Sequence, residues 1–310
     1  VPLQQRRSNS FSLKIKTGYT NFCGPFLFYS RYKSGYLKPW AFYFLFCLPL
    51  LWACHAGPNN EYKSAAVYVS AHHDDWQLFM GSNFFADAQD LHKKVVLVVT
   101  TSGCFEPGKF CAVRIAGLGA SIKYITDLQA IALKADSGFL SFQKFSIPFY
   151  RHNNITVLLL NLPDGNTTGE GFERFGNRSL SKFRKGDFAD LFTTDSANVF
   201  HHWDQLIEVL GGVVRGELNS CKGAVTLHLP DTSMAINPLD HPDHYSSAYL
   251  ALKAFAGQRW KRFFYSQYQN EFLPDNLSGA DSVHQTGLFD AYNNTVTREW
   301  GECTTCYSDV

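Results

Sequence analysis

Ala65-Ala66-Val67-Tyr68-Val69-Ser70-Ala71, the segment Leu78 to Lys93, and Val95-Val96-Leu97-Val98-Val99-Thr100 follow one another closely and decide the fold. The first run is short, apolar and rich in β-branched and aromatic residues, and it passes into a polar stretch, as a buried strand does. The second places Phe84, Ala88 and Leu91 along one helical face, with Leu78, Phe79 and Phe85 beside them. The third is again a continuous apolar run. Strand, helix, strand in this order is a βαβ unit, and strands that are apolar on both faces belong to a parallel sheet covered on both sides.

Further elements extend the pattern. Ala112 to Ile125 reads as a second helix and Thr156 to Asn161 as a third strand, closed by Pro163-Asp164-Gly165. Asn166 to Phe188, rich in Gly, Arg, Ser and Asn, reads as a long surface loop. Trp203 to Leu210 reads as a helix stopped by Gly211-Gly212, and Gly223 to Leu229 as another strand. His244 to Ala256 and Ser282 to Tyr292 are the last helices expected. There is no internal repeat and no low-complexity tract. The expected fold is a three-layer α/β domain with a Rossmann-like, mainly parallel sheet.

In open α/β sheets ligands bind beyond the carboxyl ends of the strands. His72-His73-Asp74-Asp75 stands at such an end. An imidazole and a carboxylate three residues apart share one side of a starting helix, so His72 and Asp75 can converge on one ion, while Asp74 between them points elsewhere and is available to meet a water molecule. A second cluster, Asp240-His241-Pro242-Asp243-His244, precedes a helix, and His241 and His244 are again three apart. Three protein ligands with an open position are the pattern of catalytic zinc, although another divalent transition metal also suits these donors. His201-His202 reads as an ordinary solvated pair.

With these residues in view, the chain resembles the PIG-L/LmbE-like deacetylases from about Ala65 to about Ala256. His72-His73-Asp74-Asp75 is similar to their A-H-P-D-D-E signature, His241-Pro242-Asp243-His244 to their H-P-D-H, and Asn161-Leu162-Pro163-Asp164-Gly165 to their L-P-D-G segment. Thr100-Thr101-Ser102-Gly103 occupies the place of the post-strand turn. The resemblance implies a zinc-dependent N-deacetylase acting on an N-acetylated sugar or glycoconjugate. It implies His72, Asp75 and His244 as metal ligands, Asp74 as general base and His241 as electrophilic partner, oriented by Asp243 or by Asp240. Arg114 falls where members carry an arginine near the substrate, against the alternative of a surface helix charge. Asp164 is implied in binding sugar hydroxyls, although Pro-Asp-Gly is also good turn chemistry. Two departures stand out: His73 replaces the proline, and Trp76-Gln77 replaces the glutamate, which removes a supporting carboxylate and suggests an aromatic surface for a sugar ring. The Asp74-Asp75-Trp76-Gln77 form resembles an exported subgroup.

The chain has 310 residues, 45% of them apolar, enough for a sizeable core in one large domain. Residues 1–53 hold seven of the 28 Lys/Arg and none of the 27 Asp/Glu, so the remainder is acidic by six despite the overall charge of +1. An acidic domain is no general nucleic-acid binder. The basic leader ends in the apolar run Trp40 to Leu51, shorter than the ~20 residues of an ordinary membrane span. Residues 1–53 therefore read as an upstream extension plus a secretory or lipoprotein-type signal, and residues 54–310 as the deacetylase-like domain. A start at Leu37 would give a compact signal.

Leu51-Trp52-Ala53-Cys54 resembles a lipobox. It implies an exported periplasmic or outer-membrane lipoprotein, anchored through a lipidated Cys54, against the alternatives of a plain cleaved signal or a short anchor. Export permits local disulfides at Cys104/Cys111 and Cys303/Cys306. Two other functions compete with the deacetylase. One is a non-catalytic carbohydrate-binding relative, against which the complete set of ligands, base and electrophile argues. The other is a nucleotide-binding protein, which would need a G-x-G-x-x-G after the first strand and has none.

Overall fold

The structure, a computed structural model, describes residues 61–105 and 108–301. The signal segment, Cys54 and the Cys303/Cys306 pair lie outside the described residues.

The first run forms β1 (Ser64–Ser70), followed by α1 (Asp75–Gln89) and β2 (Lys93–Thr101). Then come α2 (Lys109–Leu128), β3 (Ala135–Phe142), β4 (Phe145–His152) and β5 (Ile155–Leu162). A short α3 (Leu180–Lys185) and the two-residue strands β6 (Leu191–Phe192) and β7 (Val199–Phe200) lead to α4 (Trp203–Glu217) and β8 (Val225–Pro230). The described chain closes with α5 (Pro242–Ala254), β9 (Lys261–Tyr265) and α6 (Gly279–Trp300).

Seven strands form one sheet in the order β3-β4-β5-β2-β1-β8-β9. β5, β2, β1, β8 and β9 run parallel, while β4 is antiparallel to both of its neighbours. The central strands β1, β2 and β5 are buried on both faces, so the period-2 alternation divides their side chains between two cores. Ala65, Val67 and Val69 face a core completed by α3, α4 and α5, while Ala66 and Tyr68 face one completed by α1, α2 and α6. This is the expected three-layer, Rossmann-like arrangement. The strand order reverses between β1 and β8, and the crevice at their carboxyl ends is where such sheets bind ligands.

Several elements depart from the sequence reading. The helix at Trp203 does not stop at Gly211-Gly212 but runs to Glu217. A Cβ on Gly212 would lie 2.1 Å from Cε2 of Phe142, so the glycine serves close approach of α4 to β3 and not termination. The stretch Asn166 to Phe188 is not all loop: Ser179 accepts a hydrogen bond from the Lys182 N–H and caps α3, whose Leu180 and Phe183 are buried three residues apart. Helix α5 starts at Pro242 and not at His244, because proline suits the first helical position and His241 caps it. The β3–β4 hairpin and the edge strand β9 were not expected from sequence. Cys104 and Cys111 are joined, as one of the two local pairs allowed. Among the described residues no helix is long and apolar enough to cross a membrane.

Candidate metal centre

The loop after β1 and the loop after β8 meet over the crevice. Here His72, His241 and His244 present nitrogens close enough to share an ion, and a second overlapping group joins His72 and His241 to Asp164 and Asp243. All of these side chains are buried. Asp75 opens α1, where a negative charge suits the helix amino terminus. Its carboxylate accepts from the His72 main-chain N–H at 2.6 Å, and its oxygens lie 3.3 Å from His72 Nδ1 and 3.2 Å from His244 Nε2. Two of the three implied ligands, His72 and His244, thus stand among the converging imidazoles, with Asp75 touching both. His241 joins that set, which the sequence reading had assigned to another role.

Supporting contacts fix the ring orientations. His244 Nδ1 meets Asp240 Oδ1 at 2.7 Å, and the other Asp240 oxygen accepts from Asn237 Nδ2 at 2.6 Å. His241 Nδ1 accepts from the Asp243 main-chain N–H at 3.1 Å, which leaves the proton of a neutral imidazole on Nε2. Of the two residues implied as orienting His241, Asp243 touches it, through its main-chain N–H, while Asp240 touches His244. The Asp243 carboxylate instead accepts from the Gly165 N–H at 2.8 Å and lies 3.5 Å from His72 Nε2. Asp164 closes the Pro-Asp-Gly turn and also faces the histidines. One oxygen closes the turn by accepting from the Asn166 N–H at 2.7 Å, and the other lies 3.6 Å from His72 Nε2.

The charges explain the titration of the site. Burial alone lowers a histidine, yet Asp75 and Asp240 outweigh it at His244 and raise it to about 9. His72 is likewise raised, with Asp75, Asp243 and Asp164 opposing its burial. His241 is lowered to about 3 by burial and by the neighbouring His72, with His244 adding to it. Five buried carboxylates, Asp74, Asp75, Asp164, Asp240 and Asp243, surround these rings. Those carboxylates favour positive charge at His72 and His244.

Arg114 is not a surface charge. Its guanidinium donates from Nε to the Tyr292 hydroxyl at 2.9 Å, from Nη1 to the Gly103 carbonyl at 2.6 Å, and from Nη2 to Asp74 Oδ1. Trp76 reverses the sequence expectation. It is 0% exposed and its ring packs on Phe84, 4.3 Å between centroids, so it is a core residue with no face to offer a sugar. His201 pairs with Asp190 and His202 caps α4, away from the centre. Two residues carried no sequence signal. Tyr268 lies beside His244, 5.2 Å between ring centroids, from a segment with no motif. Tyr292 reaches Arg114 across 178 residues of sequence.

No family model matches the chain, and no curated protein matches it. Solved structures do. The zinc-inhibited form of a teicoplanin deacetylase is 12% identical, with 75% of this chain and 84% of that one covered and a TM-score of 0.41. The N,N'-diacetylchitobiose deacetylase from Pyrococcus horikoshii is 13% identical, with 78% and 76% covered and a TM-score of 0.42. The 4-carboxy-2-hydroxymuconate hydratase from Pseudomonas putida is 13% identical, with 77% and 80% covered and a TM-score of 0.39. Likeness at this level tells nothing of activity, and these proteins differ in their named reactions.

Proposed function

We propose that this chain is a divalent-metal-dependent amidohydrolase that removes an acetyl group from an N-acetylated sugar or glycoconjugate, with zinc as the expected ion. The observation that carries the reading is the donor set. His72 Nε2 and His244 Nε2 are buried without a well-formed hydrogen bond, facing carboxylate oxygens of Asp243 and Asp75 at 3.5 and 3.2 Å. Orphaned imidazole nitrogens beside a carboxylate that touches both rings fit a borderline divalent ion. His72, Asp75 and His244 would hold it, and Asp240 fixes the orientation of His244. When bound, the ion supplies Lewis-acid polarisation of the amide carbonyl and acidifies water.

The remaining chemistry belongs to the side chains. Asp74, next to a ligand but needed elsewhere, accepts the proton of the attacking water and passes it to the departing amine. His241, neutral and with its proton on Nε2, donates to the carbonyl oxygen as negative charge develops there. Asp164 accepts a hydrogen bond from a substrate hydroxyl, as the sequence resemblance implies. The sugar substrate follows from the sequence resemblance. Export and a lipid anchor at Cys54 belong to the same reading, supported by the Cys104–Cys111 bond, which suits an oxidising compartment.

The test is incubation of the metal-loaded protein with a panel of N-acetylated sugars and glycans, with free amine as the readout. Amine release is expected. Glycan binding without amine release would select the non-catalytic carbohydrate-binding alternative.

A further inference from the structure

We propose that Tyr292, on the carboxyl-terminal helix α6, is a positioning residue for the reaction, because its hydroxyl and the Gly103 carbonyl hold the Arg114 guanidinium against Asp74. The inference rests on the deacetylase reading for the role of Asp74.

A guanidinium is a rigid planar fork, so fixing two of its nitrogens fixes the third. Tyr292 takes Nε and Gly103 takes Nη1, which directs Nη2 at Asp74 Oδ1. The three anchors come from separate parts of the chain: α6, the turn after β2, and the loop after β1. Each is itself fixed. Tyr292 is wholly buried and packs with Val113 and Val296. Gly103 stands at φ +57°, and a Cβ there would lie 2.8 Å from Arg114 Nη1, so a side chain at this position would be strained and would push the guanidinium aside. The Cys104–Cys111 bond ties the residue after Gly103 to helix α2, one turn before Arg114.

The consequence is an orientation for Asp74. With Oδ1 engaged by a clamped guanidinium, the carboxylate plane is set relative to the histidines, and the charge-assisted contact keeps it there through the proton transfers. A phenylalanine at 292 keeps the ring in place and removes the hydroxyl that accepts from Arg114 Nε.

The experiment is a double-mutant cycle on amine release from N-acetylglucosamine and its short oligomers, using Tyr292→Phe, Arg114→Ala and the double variant, with metal content measured in each. A loosened catalytic geometry costs on the order of ten- to a hundredfold in rate. Tyr292→Phe should therefore lower kcat by about that factor with KM little changed, and should have no further effect in the Arg114→Ala background. The metal-free protein gives a second readout: the Arg114 Nε–H resonance, protected in the wild type, should exchange rapidly in Tyr292→Phe. Unchanged kcat, an undiminished effect without Arg114, loss of metal, or a still-protected resonance would each overturn the proposal. A wild-type protein inactive on every acetylated probe would refute the deacetylase reading instead, and the resonance would still decide the contact.

Discussion

Asp240→Asn offers a graded perturbation of the metal centre, because Asp240 touches no ion ligand but His244. The His244 Nδ1–Asp240 Oδ1 contact is 2.7 Å long and both side chains are fully buried. Asparagine keeps the shape and one acceptor but loses the charge that raises the basicity of the His244 ring. Its amide cannot satisfy both His244 and Asn237 Nδ2 as the carboxylate does. Losing a supporting carboxylate behind a ligating histidine costs 10- to 100-fold in metal affinity, about 1.4–2.7 kcal/mol.

The pH dependence adds a signature. In the metal-free protein His244 titrates at about 9, so metal must displace a proton below that value. Affinity should rise with pH and level off near about 9 in the wild type, and the rise should end at lower pH in Asp240→Asn. Because the folded value is raised, the proton on His244 stabilises the metal-free fold fully below about pH 6.5, and this contribution is lost as pH rises through about 9. Competition titrations with a chromophoric chelator at several pH values measure both effects. An Asp240→Asn protein with wild-type affinity and an unshifted profile would refute the assignment of His244 as a ligand oriented by Asp240.

Other outcomes follow from the same geometry. Asp74→Asn should keep metal and fold but lose about 10²–10⁴ in turnover; near-normal turnover with normal metal content moves the base elsewhere. Trp76→Ala should destabilise the protein by about 3–5 kcal/mol in urea unfolding, as expected of a buried ring, and a stable variant with weakened glycan binding would restore the sugar-platform reading. Gly212→Ala should cost about 1–3 kcal/mol because its methyl collides with Phe142, and unchanged stability would show that Phe142 gives way. His228, stacked between Tyr68 and Phe263, is lowered to about 4 by burial, so its neutral form favours the fold above about pH 6.5 and that contribution falls away as pH drops through about 4. Comparing urea midpoints of wild type and His228→Gln across this range measures it, and parallel profiles would contradict it.

The βαβ unit was legible because Val67 to Val69 and Val95 to Val99 are apolar on both faces, which few structures other than a covered parallel strand require. The β3 strand was not, since Ala135 to Phe142 lies at the sheet edge, where Phe139 is exposed and only the half-buried Leu140 and Phe142 reach the core, so its inward face is too short to pattern the sequence. Phe145, Ile147 and Phe149 do alternate inward in β4, but Pro148 among them reads as a break. Gly211-Gly212 read as a stop because sequence does not show which side chain will approach. At the site, the clusters at His72 and His241 were readable from spacing alone. Their partners were not: Asp240 sits behind His244 and the Asp243 carboxylate turns to His72, choices set by loop geometry. Trp76 looked like a platform because its burial depends on Phe84, two helical turns further on, and the sequence leaves the inward face of α1 ambiguous.

The most direct test of the metal hydrolase is elemental analysis of the purified domain beside its His72→Ala, Asp75→Ala and His244→Ala variants. The wild type should carry about one divalent ion per chain, and each variant should lose it while remaining folded. Full metal content in all three variants, or a wild type that binds no divalent ion, would contradict the account.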